Sequence, residues 1–127
     1  MTFKRKVVNH FMTAQSMTSS FNSVAIPINL MDDVGIQTNV TNGSSAVGTL
    51  SIQVSADHLQ DDEGNILVAG TWATVQSPPG TNLTLAVTGN GAYYFDLALL
   101  SAPYCRLAYT ATSGTGTADG WVAAKAI

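Results

Sequence analysis

Apolar side chains in this chain return at every second residue, and no stretch repeats at helical spacing. Leu50, Ile52 and Val54 alternate with Ser51, Gln53 and Ser55. Tyr93, Phe95, Leu97 and Leu99 alternate with Tyr94, Asp96, Ala98 and Leu100, and Cys105, Leu107, Tyr109 and Ala111 alternate with Tyr104, Arg106, Ala108 and Thr110. A period of two places successive side chains on opposite faces of a strand. Val24–Leu30, Val34–Val40 and Leu83–Val87 carry the same rhythm. Pro27 cannot donate to a ladder, so its strand belongs at an edge or a bulge. Thr41–Ser45, Ser77–Gly80 and Thr88–Gly91 supply turn and breaker residues. Ser113-Gly114-Thr115-Gly116-Thr117 reads as the turn of a hairpin whose returning strand contains Trp121 and Val122. A weak strand is expected from Ile66 to Ala69, after a loop over 57–65. About eight strands with this turn spacing predict an all-β fold. A single sheet would leave an apolar face wet, so the expected architecture is a two-sheet antiparallel sandwich, jelly-roll-like.

The chain has 127 residues, the size of one domain. Hydrophobic residues make up 46%, which excludes disorder, but charged residues only 10%, against about 25% in ordinary soluble domains. A surface so poor in charge is covered by small polar residues or by another protein. The net charge of −3 conceals an asymmetry. Lys4, Arg5 and Lys6 form a short basic triplet, and the remaining basic residues, Arg106 and Lys125, face eight acids. The acidic body argues against nucleic-acid binding through the domain surface. Residues 1–18 lack clean alternation and read as an N-terminal arm, extended or briefly helical, outside the core of a 19–127 domain. No apolar run is long enough to suggest a membrane span, and none has the form of a secretory leader.

Catalytic constellations are not evident, and the chain reads as a non-enzyme with no cofactor. Cys105 shares a face with Leu107 and Tyr109, the setting of an inert buried thiol. The histidines, His10 and His58, are too few for a metal cupin site. Asp61-Asp62-Glu63-Gly64-Asn65 offers oxygen ligands for calcium, but the same residues make an ordinary polar turn. Asp32, Asp33 and Asp96 are not placed to act as paired carboxylates. Tyr93 and Tyr94 are adjacent and point to opposite faces, so one of them serves an interface, a sugar contact or a second core. The candidate partner-binding residues are Lys4, Arg5, Lys6, Phe11, Trp72 and Tyr94.

Three blocks, FNSVAIPINL (21–30), GTLSIQVSAD (48–57) and YCRLAYTATSGTGTADGWVAA (104–124), resemble a family of small phage-encoded β-sandwich proteins. The resemblance implies a virion component: a capsid decoration (cement) or minor structural protein that binds the major capsid or another virion protein. It also implies a homo-oligomer, with a trimer favoured. The competing expectation is a carbohydrate- or receptor-binding module of a tail or spike, in which Trp72 or Tyr94 stacks on sugar.

Overall fold

The computed structural model describes residues 6–28, 31–42, 45–98 and 101–125. Strands in chain order are β1 (Lys6–Ser16), β2 (Phe21–Asn22), β3 (Ile26–Pro27), β4 (Asp33–Thr41), β5 (Val47–Ser55) and β6 (Leu59–Gln60). They continue with β7 (Ile66–Val68), β8 (Ala73–Thr74), β9 (Thr84–Thr88), β10 (Gly91–Ala98), β11 (Tyr104–Ser113) and β12 (Thr117–Lys125). All pairings are antiparallel. One sheet runs β1-β12-β4-β10. In the other, β11 pairs with β2, β3 and β5, and β5 pairs in turn with β8 and β9.

The two sheets close on one core. Val34, Ile36, Phe95, Leu97 and Val122 come from the four-stranded sheet, and Leu50, Ile52, Val87, Cys105, Leu107 and Tyr109 from the six-stranded sheet. The chain is therefore the expected two-sheet sandwich. The alternation delivers this directly: on β4 residues 34, 36, 38 and 40 are buried, while Gln37 and Asn39 turn outward. Pro27 sits on the edge piece β3, where a missing N–H costs nothing. Tyr93 packs toward the core and Tyr94 faces out, as adjacent strand residues must.

The structure corrects three expectations. First, residues 6–18 are not an arm outside the core, and residues 1–5 of the expected 1–18 arm lie outside the described residues. β1 pairs with β12 from Lys6 to Ser16, and Met12 and Met17 are buried. Its register breaks between His10 and Met12 and again between Met12 and Gln15, with Ala14 at φ 47°. Ala14 N–H is taken up by Asp119 Oδ1 at 2.7 Å. Bulges of this kind shift side chains between faces and erase the two-residue rhythm in the sequence. Second, β11 and β12 are not a hairpin. β11 lies in one sheet and β12 in the other, so the Gly114–Gly116 corner is an arch that crosses the core. Gly114 has φ +84°, and a Cβ there would strike the Ser45 carbonyl. Third, the strand read over Val24–Leu30 is broken. Ser23 N–H donates to Leu107 O at 2.8 Å and Ser23 Oγ accepts from Leu107 N–H at 2.9 Å, and Val24 is exposed. A side-chain hydroxyl thus takes a place in the ladder, and two short strands result.

Candidate functional site

The segment 57–69, read as a loop and a weak strand, folds into a two-stranded hairpin that belongs to neither sheet. β6 pairs with β7 through Leu59↔Val68 and Gln60↔Ile66. Its base is tied firmly to the six-stranded sheet. Ser55 Oγ donates to Asp57 Oδ1 at 2.8 Å and accepts from His58 N–H at 3.1 Å. Asp57 Oδ1 also accepts from Thr71 N–H at 2.8 Å, and these bonds hold its carboxyl below the ordinary carboxylate range. His58 is buried between Trp72 and Tyr104, with ring centroids 5.2 and 5.0 Å away. His58 Nδ1 accepts from Gly70 N–H at 3.4 Å, so Nε2 donates to Gln60 Oε1 at 3.0 Å. Gln60 Nε2 reaches Ala25 O at 3.3 Å.

The tip is equally ordered. Asp61 Oδ1 accepts from Glu63 N–H at 3.0 Å and Asn65 N–H at 2.8 Å, and Oδ2 accepts from Asn65 Nδ2 at 3.0 Å. Hydrogen bonds from Asn65, side chain first, lower the Asp61 pKa. The acidic turn that offered calcium ligands thus uses the Asp61 carboxylate to close itself. Among the described residues no group of three or more His, Cys, Asp or Glu is gathered as a metal-ligand set.

Between this firm base and ordered tip the hairpin is apolar and bare. Leu59 is 48% exposed, Ile66 63%, Leu67 61% and Val68 51%. Successive residues of a strand point to opposite sides. Ile66, Leu67 and Val68 therefore leave both faces of the hairpin uncovered. Isolated apolar residues are normal on a surface, but three in a row on a pinned projection make a two-sided apolar blade, rimmed by Asp61, Asp62 and Glu63. The sequence carried the signal, an unbroken Ile-Leu-Val beside an acidic turn. It was obscured because such a run reads equally well as a buried strand.

The candidate partner-binding residues do not converge. Lys4 and Arg5 lie outside the described residues, and Lys6 opens β1 opposite Lys125. Phe11 is half-buried, packs against the core and lies over Gly120. Trp72 stands at the foot of the hairpin, its ring 4.4 Å below the Arg106 guanidinium, which is itself held by Gln53 Oε1 at 2.7 Å from Nε. Burial there lowers the Arg106 pKa. Tyr94 is on the outer face of the four-stranded sheet, across the sandwich from Trp72. Cys105 is fully buried, and its thiol is pushed up to about 12 by desolvation, far from a nucleophile's range.

No protein-family model matches the sequence, and a search of curated proteins finds no relative. Solved structures do match. The chain is similar to the SPBc2 prophage-derived protein YomS, with 14% identity over 97% of this chain and 96% of that chain and a TM-score of 0.54. A second likeness, to the decameric BFDV capsid protein, has 9% identity over 97% and 96% of the two chains and a TM-score of 0.47. The first shows a shared fold with a phage-encoded protein over essentially the whole chain. The second is too distant to carry an argument.

Proposed function

We propose that this protein is a non-enzymatic phage virion component, a capsid decoration or minor capsid protein that assembles through the β6–β7 hairpin. One observation carries the reading: three consecutive apolar residues exposed on both faces of a hairpin whose base and tip are hydrogen-bonded in place. A flexible loop could fold its apolar residues away, but a pinned one cannot. Surfaces of this kind are found where another protein covers them. The low charge of the chain and its shared fold with a prophage-derived protein support the same reading. The receiving slot is apolar with a cationic rim, to match Asp61, Asp62 and Glu63. The chain carries such cations itself in Lys4-Arg5-Lys6, which favours a sister subunit as the first partner and the shell as the second.

The test combines light scattering on the purified protein with copy counting in purified particles by mass spectrometry. Wild type is an oligomer present in many copies per particle. The variant Ile66→Ser/Val68→Ser keeps its far-ultraviolet spectrum but elutes as a monomer and is depleted from particles. A wild-type protein that is monomeric at every concentration, together with normal incorporation of the variant, refutes the reading.

A further inference from the structure

A second surface is built on the opposite side of the molecule. Register aligns His10 (β1), Trp121 (β12), Gln37 (β4) and Tyr94 (β10) in one row straight across the four-stranded sheet, on its outer face. The row beside it is Val8, Ala123 and Gly35. All of these but His10, together with Asn39, line a shallow groove of about 320 Å³. Trp121 is braced by His10, whose ring stacks on it at 4.5 Å and 9°. Tyr94, 52% exposed, lies across Gly35, where a Cβ would overlap its phenol. Glycine thus lets the Tyr94 phenol lie down against the sheet, with Ala123 beside it and Trp121 two strands away.

The polar groups decide what fits. Gln37 Nε2 donates to Asn39 Oδ1 at 2.9 Å. That bond orients both amides and leaves Gln37 Oε1 as an acceptor and Asn39 Nδ2 as a donor. An apolar peptide would bury both unpaired, at a cost. The seven lining residues carry no formal charge, and the charged groups at the margin, Asp96 opposite Gly35 and Asp119 opposite Asn39, are carboxylates that turn anions away and can accept from a hydroxyl. Aromatic rings beside a fixed donor and acceptor suit a ring with C–H groups on its face and hydroxyls on its rim. We infer that the outer face of the four-stranded sheet binds a neutral pyranose sugar, stacked on Tyr94 and Trp121 and hydrogen-bonded by Gln37 and Asn39. The inference is independent of assembly through the hairpin, which lies on the other side of the sandwich.

The test is nuclear magnetic resonance titration of the isotope-labelled full chain with maltose, cellobiose, lactose and chitobiose. At least one gives saturable shifts of the Trp121 indole and the Gln37 and Asn39 side-chain amides, with a dissociation constant on the order of 1 mM. Tyr94→Ala and, separately, Gln37→Ala weaken that binding at least about fivefold. Trp72→Ala leaves it unchanged. The inference is overturned if all four sugars, at roughly fifty times that concentration, leave these signals in place, or if the shifts cluster around Trp72. It is also overturned if the groove signals move with protein concentration in the absence of sugar, which would make the face a contact between copies.

Discussion

Gly114 and Gly64 share nearly the same positive φ, +84° and +88°, but have opposite surroundings. A Cβ on Gly64 meets nothing within 4 Å, whereas one on Gly114 strikes the Ser45 carbonyl and lies 3.0 Å from Ala46 Cα. Replacing each by alanine separates the conformational penalty from the packing penalty. The left-handed region costs an L-residue about 1–2 kcal/mol, part of which is offset by the lower entropy of the unfolded alanine chain. Gly64→Ala should therefore cost about 1 kcal/mol. Gly114→Ala adds an overlap with backbone, which no rotamer change relieves, and forcing such room into a packed site costs about 1–3 kcal/mol more. Urea denaturation of both variants reads the difference, with the slope checked for constancy. Expected losses are about 1 kcal/mol for Gly64→Ala and about 3 kcal/mol for Gly114→Ala. Equal losses, within about 0.5 kcal/mol, refute the arch that sets Gly114 against the 45–46 backbone.

Leu107→Ala removes a fully buried side chain shared by both sheets and should cost about 3 kcal/mol in the same assay. Thr38 is buried with its hydroxyl unpartnered among the described residues, so the isosteric Thr38→Val should raise stability by about 1 kcal/mol; a loss of stability would expose a hidden partner for that hydroxyl. Cys105 ionises near 9.0 in the unfolded chain and at about 12 in the fold. Between those values the unfolded state has lost a proton that the folded state keeps, so stability falls with rising pH by about 1.4 kcal/mol per unit. Urea melts at pH 9 and pH 10 should show this loss in wild type, and Cys105→Ala should remove it there; above pH 10 the buried Tyr109, raised by desolvation, adds a loss of the same sign. Asp61 behaves in the opposite sense: its lowered pKa stabilises the turn above the ordinary carboxylate value, and the effect is lost as pH falls through the folded value. The protection of the Glu63 and Asn65 amides, measured relative to their intrinsic exchange rate at each pH, should therefore be lost only in acid, and Asp61→Ala should lack it already at neutral pH.

Sheet faces were legible in the sequence, and sheet membership was not. Alternation alone marked Val34, Ile36, Leu50, Ile52, Leu107 and Tyr109 as one side of their strands, and all are buried. Adjacency alone split Tyr93 from Tyr94. Whether a Gly-Thr corner folds a strand back on its neighbour or carries it across the core depends on what waits on the other side. For β11 the neighbour is β5, more than fifty residues away in sequence, with registers such as Leu107↔Ile52. Nothing local to residues 113–117 encodes that pairing. β1 escaped for a different reason: its bulges put Phe11 and Met12 side by side against the core, which no two-residue pattern describes. The aromatic candidates failed to meet for the same topological reason. Trp72 and Tyr94 were each recognisable, but the true neighbour of Tyr94 across the groove is Trp121, brought there by two strand registers, β10–β4 and β4–β12.

The two proposed surfaces place opposite demands on the fold, and the topology is compatible with both. A blade that inserts into a partner must not bend, so its foot is fixed by the buried His58, by Asp57 and by Gln60, while the sheet beneath it stays intact. A groove that receives a ring must stay shallow and level, so it is built on the flat face of four paired strands with glycine and alanine beneath the aromatics. Gly35→Ala tests the second demand alone. Its Cβ would come within 2.6 Å of Tyr94 Cζ, at the free end of an exposed side chain that can swing outward. The stability change should stay below about 1 kcal/mol, and the oligomeric state should match that of wild type, because the hairpin is across the sandwich. Disaccharide binding should fall as far as in Tyr94→Ala. If Gly35→Ala instead dissociates the oligomer, the four-stranded face is itself a subunit contact, and the division of labour between the two sides of the sandwich is wrong.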